Sequence, residues 1–173
     1  MPRLVYPFSM KRLITTLCLV ISLAIGSFGV GLSGDFQKGV DAYDKGDYAT
    51  ALKEFMPLAE QGDASAQYNL GQIYRQGLGV PEDYKTAVKW NTLAAEQGHA
   101  KAQYNLGVTY ALGQGVIEDK VYAHMWANIA NSNGHENGKK LMEFLLEQGM
   151  TPSQIEKAQD LARECVKKNY KGC

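Results

Sequence analysis

The chain lacks several things, and each absence removes a class of function. There is no basic excess: Lys plus Arg total 18, and so do Asp plus Glu. Arg3, Lys11 and Arg12 are the only charges before Asp35, so beyond residue 31 the balance is 15 basic against 18 acidic side chains, net −3. A mildly acidic body has no electrostatic pull on phosphate backbones, so no nucleic-acid partner is expected. Histidine is scarce, and none of the three has a second His or Cys at metal-ligand spacing. His99 and His135 share one register position just after a helix-ending glycine, where a helix-start role explains them. The carboxylates of Glu60, Asp63, Asp83, Glu96 and Asp119 also fall at expected helix ends, where capping accounts for them. No Ser-x-x-Lys nucleophile motif occurs. The expectation is a protein without metal, cofactor or catalytic residues.

Long apolar runs are missing too, except for one at the start. Lys11-Arg12 precede Leu13 to Ile25, an apolar stretch interrupted only by Thr15, Thr16 and Ser22. Small residues follow at Gly26, Ser27, Gly29 and Gly31. A positive end, a short greasy stretch and a small-residue zone are the order of an export signal, so residues 1–31 are read as a signal peptide, with Met10 as a second possible start. A spanning helix needs about 20 apolar residues. This run is shorter, and the membrane is a partner only if the segment stays uncleaved. The expected location is periplasmic or secreted.

Cysteine is nearly absent. Cys18 lies inside the apolar run behind Leu17, which is too large for a lipidation signal. Cys165 and Cys173 remain, and an even pair in an exported chain favours a disulfide. A bridge needs Cα atoms within about 7 Å, whereas eight residues of helix span about 12 Å. The last helix must therefore end before Cys173, and Tyr170-Lys171-Gly172 permits that. Free thiols and an intermolecular bridge are the rival outcomes.

What is present is an echo. Ala59-Glu60-Gln61-Gly62-Asp63-Ala64-Ser65-Ala66-Gln67-Tyr68-Asn69-Leu70-Gly71 returns 36 positions later as Ala95 to Gly107, with changes only at Asp63/His99 and Ser65/Lys101. A period between 20 and 50 residues marks a stacked repeat architecture. The fold expected is all-α, an α/α superhelical solenoid of helix-turn-helix units. The units read as a short hairpin at 32–62, full repeats at 63–98 and 99–134, and a divergent, charged capping hairpin at 135–173.

Helix-period spacing gives each unit its buried stripe. The first helix of the 63–98 unit runs near Ala64 to Gln76, with Ala66, Leu70, Ile73 and Tyr74 inward. Gly77-x-Gly79 ends it and Asp83 caps the second helix, which is expected to bury Ala87, Trp90, Leu93 and Ala94. At 135–173, Leu141, Phe144, Leu145 and Leu146 mark one helix. Thr151-Pro152 starts another, with Ile155, Ala158, Ala162 and Val166 inward.

The pattern Ala66, Leu70-Gly71, Tyr74, Gly77-x-Gly79-Val80, Asp83, Ala87, Trp90, Ala94, Gly98 resembles the Sel1-like repeat, and it is met again from Ala102 to Gly134. Gly46-Asp47-Tyr48-x-x-Ala51-Leu52 is more similar to a tetratricopeptide repeat. The resemblance implies a protein–protein interaction adaptor, with envelope, motility or host-interaction roles among secreted bacterial members. It also brings an alternative. Cysteine-rich relatives have been linked to penicillin binding or hydrolysis, hence a peptidoglycan or glycan binder or a β-lactamase-like hydrolase. Those relatives carry a cysteine pair in each repeat, and this chain carries none there.

A binding surface is then the remaining candidate. Opposite the buried stripe of the first helices stand Tyr68, Gln72 and Arg75, then Tyr104, Val108 and Ala111, flanked by Asn69 and Asn105. Solenoids commonly present such rows to a partner. Tyr68 and Tyr104 form a recognition ladder in one reading, and pack on the adjacent helix in the other.

Overall fold

The computed structural model describes Gly34–Cys173; the 1–31 signal reading, Cys18 included, lies outside the described residues. Eight helices and no strands occur among those residues. They are α1 (Phe36–Asp44), α2 (Tyr48–Glu60), α3 (Ala64–Gln76), α4 (Tyr84–Ala95), α5 (Ala100–Leu112), α6 (Lys120–Ser132), α7 (Asn137–Glu147) and α8 (Pro152–Lys167). Each helix packs on the next through α7, as consecutive hairpins of a solenoid do.

Local chemistry sets the boundaries. Asp35, Asp47, Asp63, Asp83 and Asp119 cap α1, α2, α3, α4 and α6, their carboxylates accepting from otherwise unpaired first-turn N–H groups. The hydrogen bonds from Thr86 hold the Asp83 carboxyl below its usual range. At α5 the cap is His99, whose Nδ1 accepts from the Ala102 N–H at 3.2 Å. Thr151 and Gln154 form a reciprocal capping box at α8, with Pro152 in the first turn. Gly77 and Gly113 end α3 and α5 in the left-handed conformation.

The glycine turns also dock one unit on the previous one. A Cβ on Gly79 would lie 2.8 Å from Tyr48 Cβ, and one on Gly115 would lie 2.7 Å from the Tyr84 backbone. Each turn after a first helix therefore rests on the start of the preceding second helix. Both glycines have positive φ, so a side chain would be strained as well as crowded.

The core lies in three successive clusters. Phe55, Leu70 and Ile73 centre the first; Leu106, Met125, Trp126 and Ile129 the second; Leu141, Leu145 and Met150 the third. Each such side chain contributes roughly 1.5–3 kcal/mol on leaving water. Trp126 is buried, whereas Trp90 is half-buried against the first cluster.

Two expected core positions, Leu93 and Val166, are corrected. Leu93 is 37% exposed, because α4 turns Asn91 inward instead. Gly71 makes that possible: a Cβ there would meet Asn91 Nδ2 at 2.6 Å. Asn91 satisfies its own burial by donating to the Ala87 carbonyl at 3.0 Å. Phe144 and Leu146 are exposed beside the buried Leu145. Val166 is also exposed, and Cys165 fills the buried place at that turn of α8.

The 135–173 segment does more than end the stack as a hairpin. α8 packs along α6, and Cys165 and Cys173 are joined by a disulfide with Cα atoms 5.5 Å apart. The disulfide loop brings the tail back over the α4–α5 junction. The Tyr170 ring sits over Gly98, its hydroxyl donates to Asn133 Oδ1 at 3.2 Å, and the Gly172 N–H donates to Glu96 Oε1 at 3.0 Å.

Candidate functional site

The row read from the sequence is assembled on α3 and α5, but its members divide into two kinds. Tyr68 stacks on His99 with ring centroids 4.9 Å apart, and Tyr104 stacks on His135 at 4.5 Å. In both cases the tyrosine of one first helix meets the histidine that precedes the next. Such pairs contribute on the order of 0.5–1.5 kcal/mol beyond area burial. Burial, with a smaller influence from Tyr43, raises the Tyr68 pKa above its usual value. Burial also lowers the pKa of both imidazoles, which favours the neutral rings that the stacks and the His99 cap use. The two tyrosines thus hold neighbouring units together.

Asn105 and Gln72 are tied to each other. The Asn105 amide donates to Gln72 Oε1 at 2.9 Å and to Asn91 Oδ1 at 3.4 Å, linking α3, α4 and α5. Val108 packs against the third core cluster. Asn69 and Arg75 are half-buried, and Arg75 Nε is shielded from water without a hydrogen-bond partner. All seven row residues keep partial exposure, while the two tyrosines are engaged in stacking.

Sequence reasoning passed over two glutamines in the echo. Gln67 is buried and donates to the Ala59 carbonyl at 3.0 Å, while its Oε1 accepts from Gln97 at 2.8 Å. Gln103 does the same with the Ala95 carbonyl at 3.1 Å and Asn133 at 2.8 Å. Each glutamine satisfies a carbonyl at the C-terminal end of the preceding helix, one of the groups every helix end leaves open. Their identity at one offset was the available signal.

The row also continues further than its sequence pattern showed. Adding 36 to Tyr104 and Val108 gives Lys140 and Phe144 on α7, both exposed, with Phe144 at 47%. Leu112, at the end of α5, is 58% exposed. The three first helices therefore carry half-buried Gln72 and Val108, followed by exposed Leu112, Lys140 and Phe144. Among the described residues, no group of three or more His, Cys, Asp or Glu side chains is placed to hold a metal ion. No helix of the described residues is long and apolar enough to cross a membrane.

The comparisons with known proteins agree with this architecture. A family model described as the Sel1 repeat matches residues 64–99 and 100–135. A search of curated protein sequences yields no match. Among solved structures, the chain is similar to a protective antigen present in uropathogenic Escherichia coli strains that displays an SLR fold. The TM-score is 0.72 and the identity 32%, over 76% of this chain and 29% of that one. It is also similar to a Sel1 repeat protein from Oxalobacter formigenes, with a TM-score of 0.63 and 30% identity, over 75% of this chain and 55% of that one. The chain thus spans roughly a third to a half of the length of these relatives.

Proposed function

Taking as premise that this is a Sel1-repeat protein with an α/α solenoid fold, we propose that it is an exported adaptor that binds another protein in the cell envelope. Sel1 repeats generally mediate protein–protein interaction, which leaves open which face of this chain is used. The row of first helices carries the reading. Its tyrosines are occupied in stacking, while Leu112 at the end of α5 and Lys140 and Phe144 on α7 stay exposed. Exposed large apolar side chains such as Phe144 and Leu112 are the kind of anchor that interfaces concentrate. The reading is one of binding without catalysis, with protein rather than nucleic acid as partner.

Two features support export. Residues 1–31 have the order of a signal peptide. The Cys165–Cys173 disulfide suits an oxidising compartment. That a similar protein is a protective antigen present in uropathogenic Escherichia coli strains is compatible with the same reading.

The test places a photo-crosslinking amino acid at position 112, 144 or 45 in the native host, then isolates the envelope. Discrete adducts from 112 and 144, with none from the exposed Lys45, are expected. Equal adducts from all three, or adducts confined to cytoplasmic proteins, would sink the reading. Nitrocefin turnover by the purified protein would favour the hydrolase alternative instead.

A further inference from the structure

A second groove lies between α6 and α8, with α7 walling one part of it. Two cavities share Asn128 as a wall. One, of about 350 Å³, is lined by Ile129, Ala162, Val166 and Lys167. The other, of about 370 Å³, is lined by His124, Met142, Leu146 and Ile155. Both volumes are within the range of ligand pockets, about 300–1,000 Å³.

The groove has polar as well as apolar walls. His124, Asn128 and Ser132 recur every fourth residue along α6, so they share one face. His124 is 4% exposed, and its Nδ1 has no hydrogen-bond partner. A buried polar atom left unpaired costs about 1–3 kcal/mol. Asn128 offers a donor and an acceptor side by side, the combination a peptide group matches. The stripe is particular to α6: 36 residues earlier stand Val88, Thr92 and Glu96.

Charge and length narrow the occupant. Arg163 is paired with Asp160, and Lys139 faces Glu143 at 3.9 Å. Lys167 makes no ion pair among the described residues, so the uncompensated charge along the groove is positive and lies at the C-terminal end of α8. From Ile155 to Lys167 the helix rises about 18 Å. An extended chain covers that length in five or six residues, at about 3.3 Å each. Phe144 lies on neither cavity wall, although its α7 neighbours Met142, Glu143 and Leu146 line the second cavity.

We propose that the groove between α6 and α8 takes a short extended segment of a partner protein, with an apolar side chain seated between Ile129 and Val166 and a carboxylate toward Lys167. The segment's backbone pairs with the Asn128 side chain. The inference deepens the reading of the protein as a protein-binding adaptor by adding a site with its own ligand chemistry.

The test screens the intact protein against a fluorescent positional-scanning hexapeptide library by polarisation. Hexapeptides with a bulky apolar residue followed by Asp or Glu should be selected. Val166→Glu and Asn128→Ala should weaken the best of them tenfold or more, with unchanged melting temperature. Lys167→Glu should remove the acidic preference, and Phe144→Asp should change nothing. Absence of any selected hexapeptide, selection without an acidic preference, or undiminished binding by Val166→Glu overturns the proposal. Loss with Phe144→Asp alone overturns it too, while leaving the first-helix row intact as the adaptor surface. Sedimentation showing a dimer that Val166→Glu dissolves would assign the groove to a second copy of this chain. Groove binding together with no adducts at positions 112 and 144 would keep the groove and discard the row.

Discussion

At the scale of single residues, the molecule uses histidine where its own first repeat uses aspartate. Asp63 and His99 occupy the same register and cap α3 and α5 in the same way. Only the imidazole titrates near neutrality. Burial holds His99, His124 and His135 below the ordinary value of 6.5. Once unfolded, each returns to about 6.5 and binds a proton that the folded chain refuses. Between the depressed folded values and about 6.5 the unfolded state therefore holds more protons, and stability falls as pH drops. It is fully present above about pH 6.5. The carboxylates of Asp47 and Asp83, also depressed, act at lower pH. The melting temperature should be lower at pH 5 than at pH 7.5, and His99→Asp should flatten that slope. A melting temperature unchanged over this window would contradict the account. The cap role of His99 was legible, because register alone placed it before a helix. Its stack on Tyr68 was not, since the rings are 31 positions apart and meet only when units stack.

At the scale of elements, legibility depends on how local the determinant is. α3 was read from Ala64 to Gln76 because its stops are chemical: Asp63 caps one end and Gly77 the other. The inward residue of α4 was misread because Asn91, not Leu93, meets α3, and only the space over Gly71 admits it. α8 was read correctly as a helix but not as a partner of α6, since no short-range pattern encodes that contact. Cys165 there is buried, and its bridge closes the tail onto Glu96, Gly98 and Asn133. A loop of eight residues restrains the unfolded chain by about 2.5 kcal/mol in the chain-entropy view. Cys173→Ala, or reduction, should lower the melting temperature by roughly 5–10 °C and speed exchange of the Tyr170 and Gly172 amides. Equal melting temperatures with and without reductant would show that the bridge and the tail contribute little.

At the scale of the whole molecule, the described residues form a short stack in which every repeated feature has a structural use. Leu70 and Leu106 fill the core, Gln67 and Gln103 satisfy the preceding helix, and Tyr68 and Tyr104 stack on the next unit. What differs between units is what the proposed recognition draws on: Gln72 against Val108 against Phe144 in one row, and the His124–Asn128–Ser132 stripe on α6. On the function proposed above, the echo builds the stack and its unrepeated neighbours bind. One paired measurement tests it most directly, with thermal melting and envelope crosslinking read on the same two variants. Tyr104→Ala should lose about 2 kcal/mol of stacking and burial, and so melt several degrees lower. Below that melting point it should still give the adducts at position 112. Phe144→Asp should melt as the parent does and lose those adducts. The reverse pattern, with Tyr104→Ala fully stable but unable to bind and Phe144→Asp binding as before, would contradict the account.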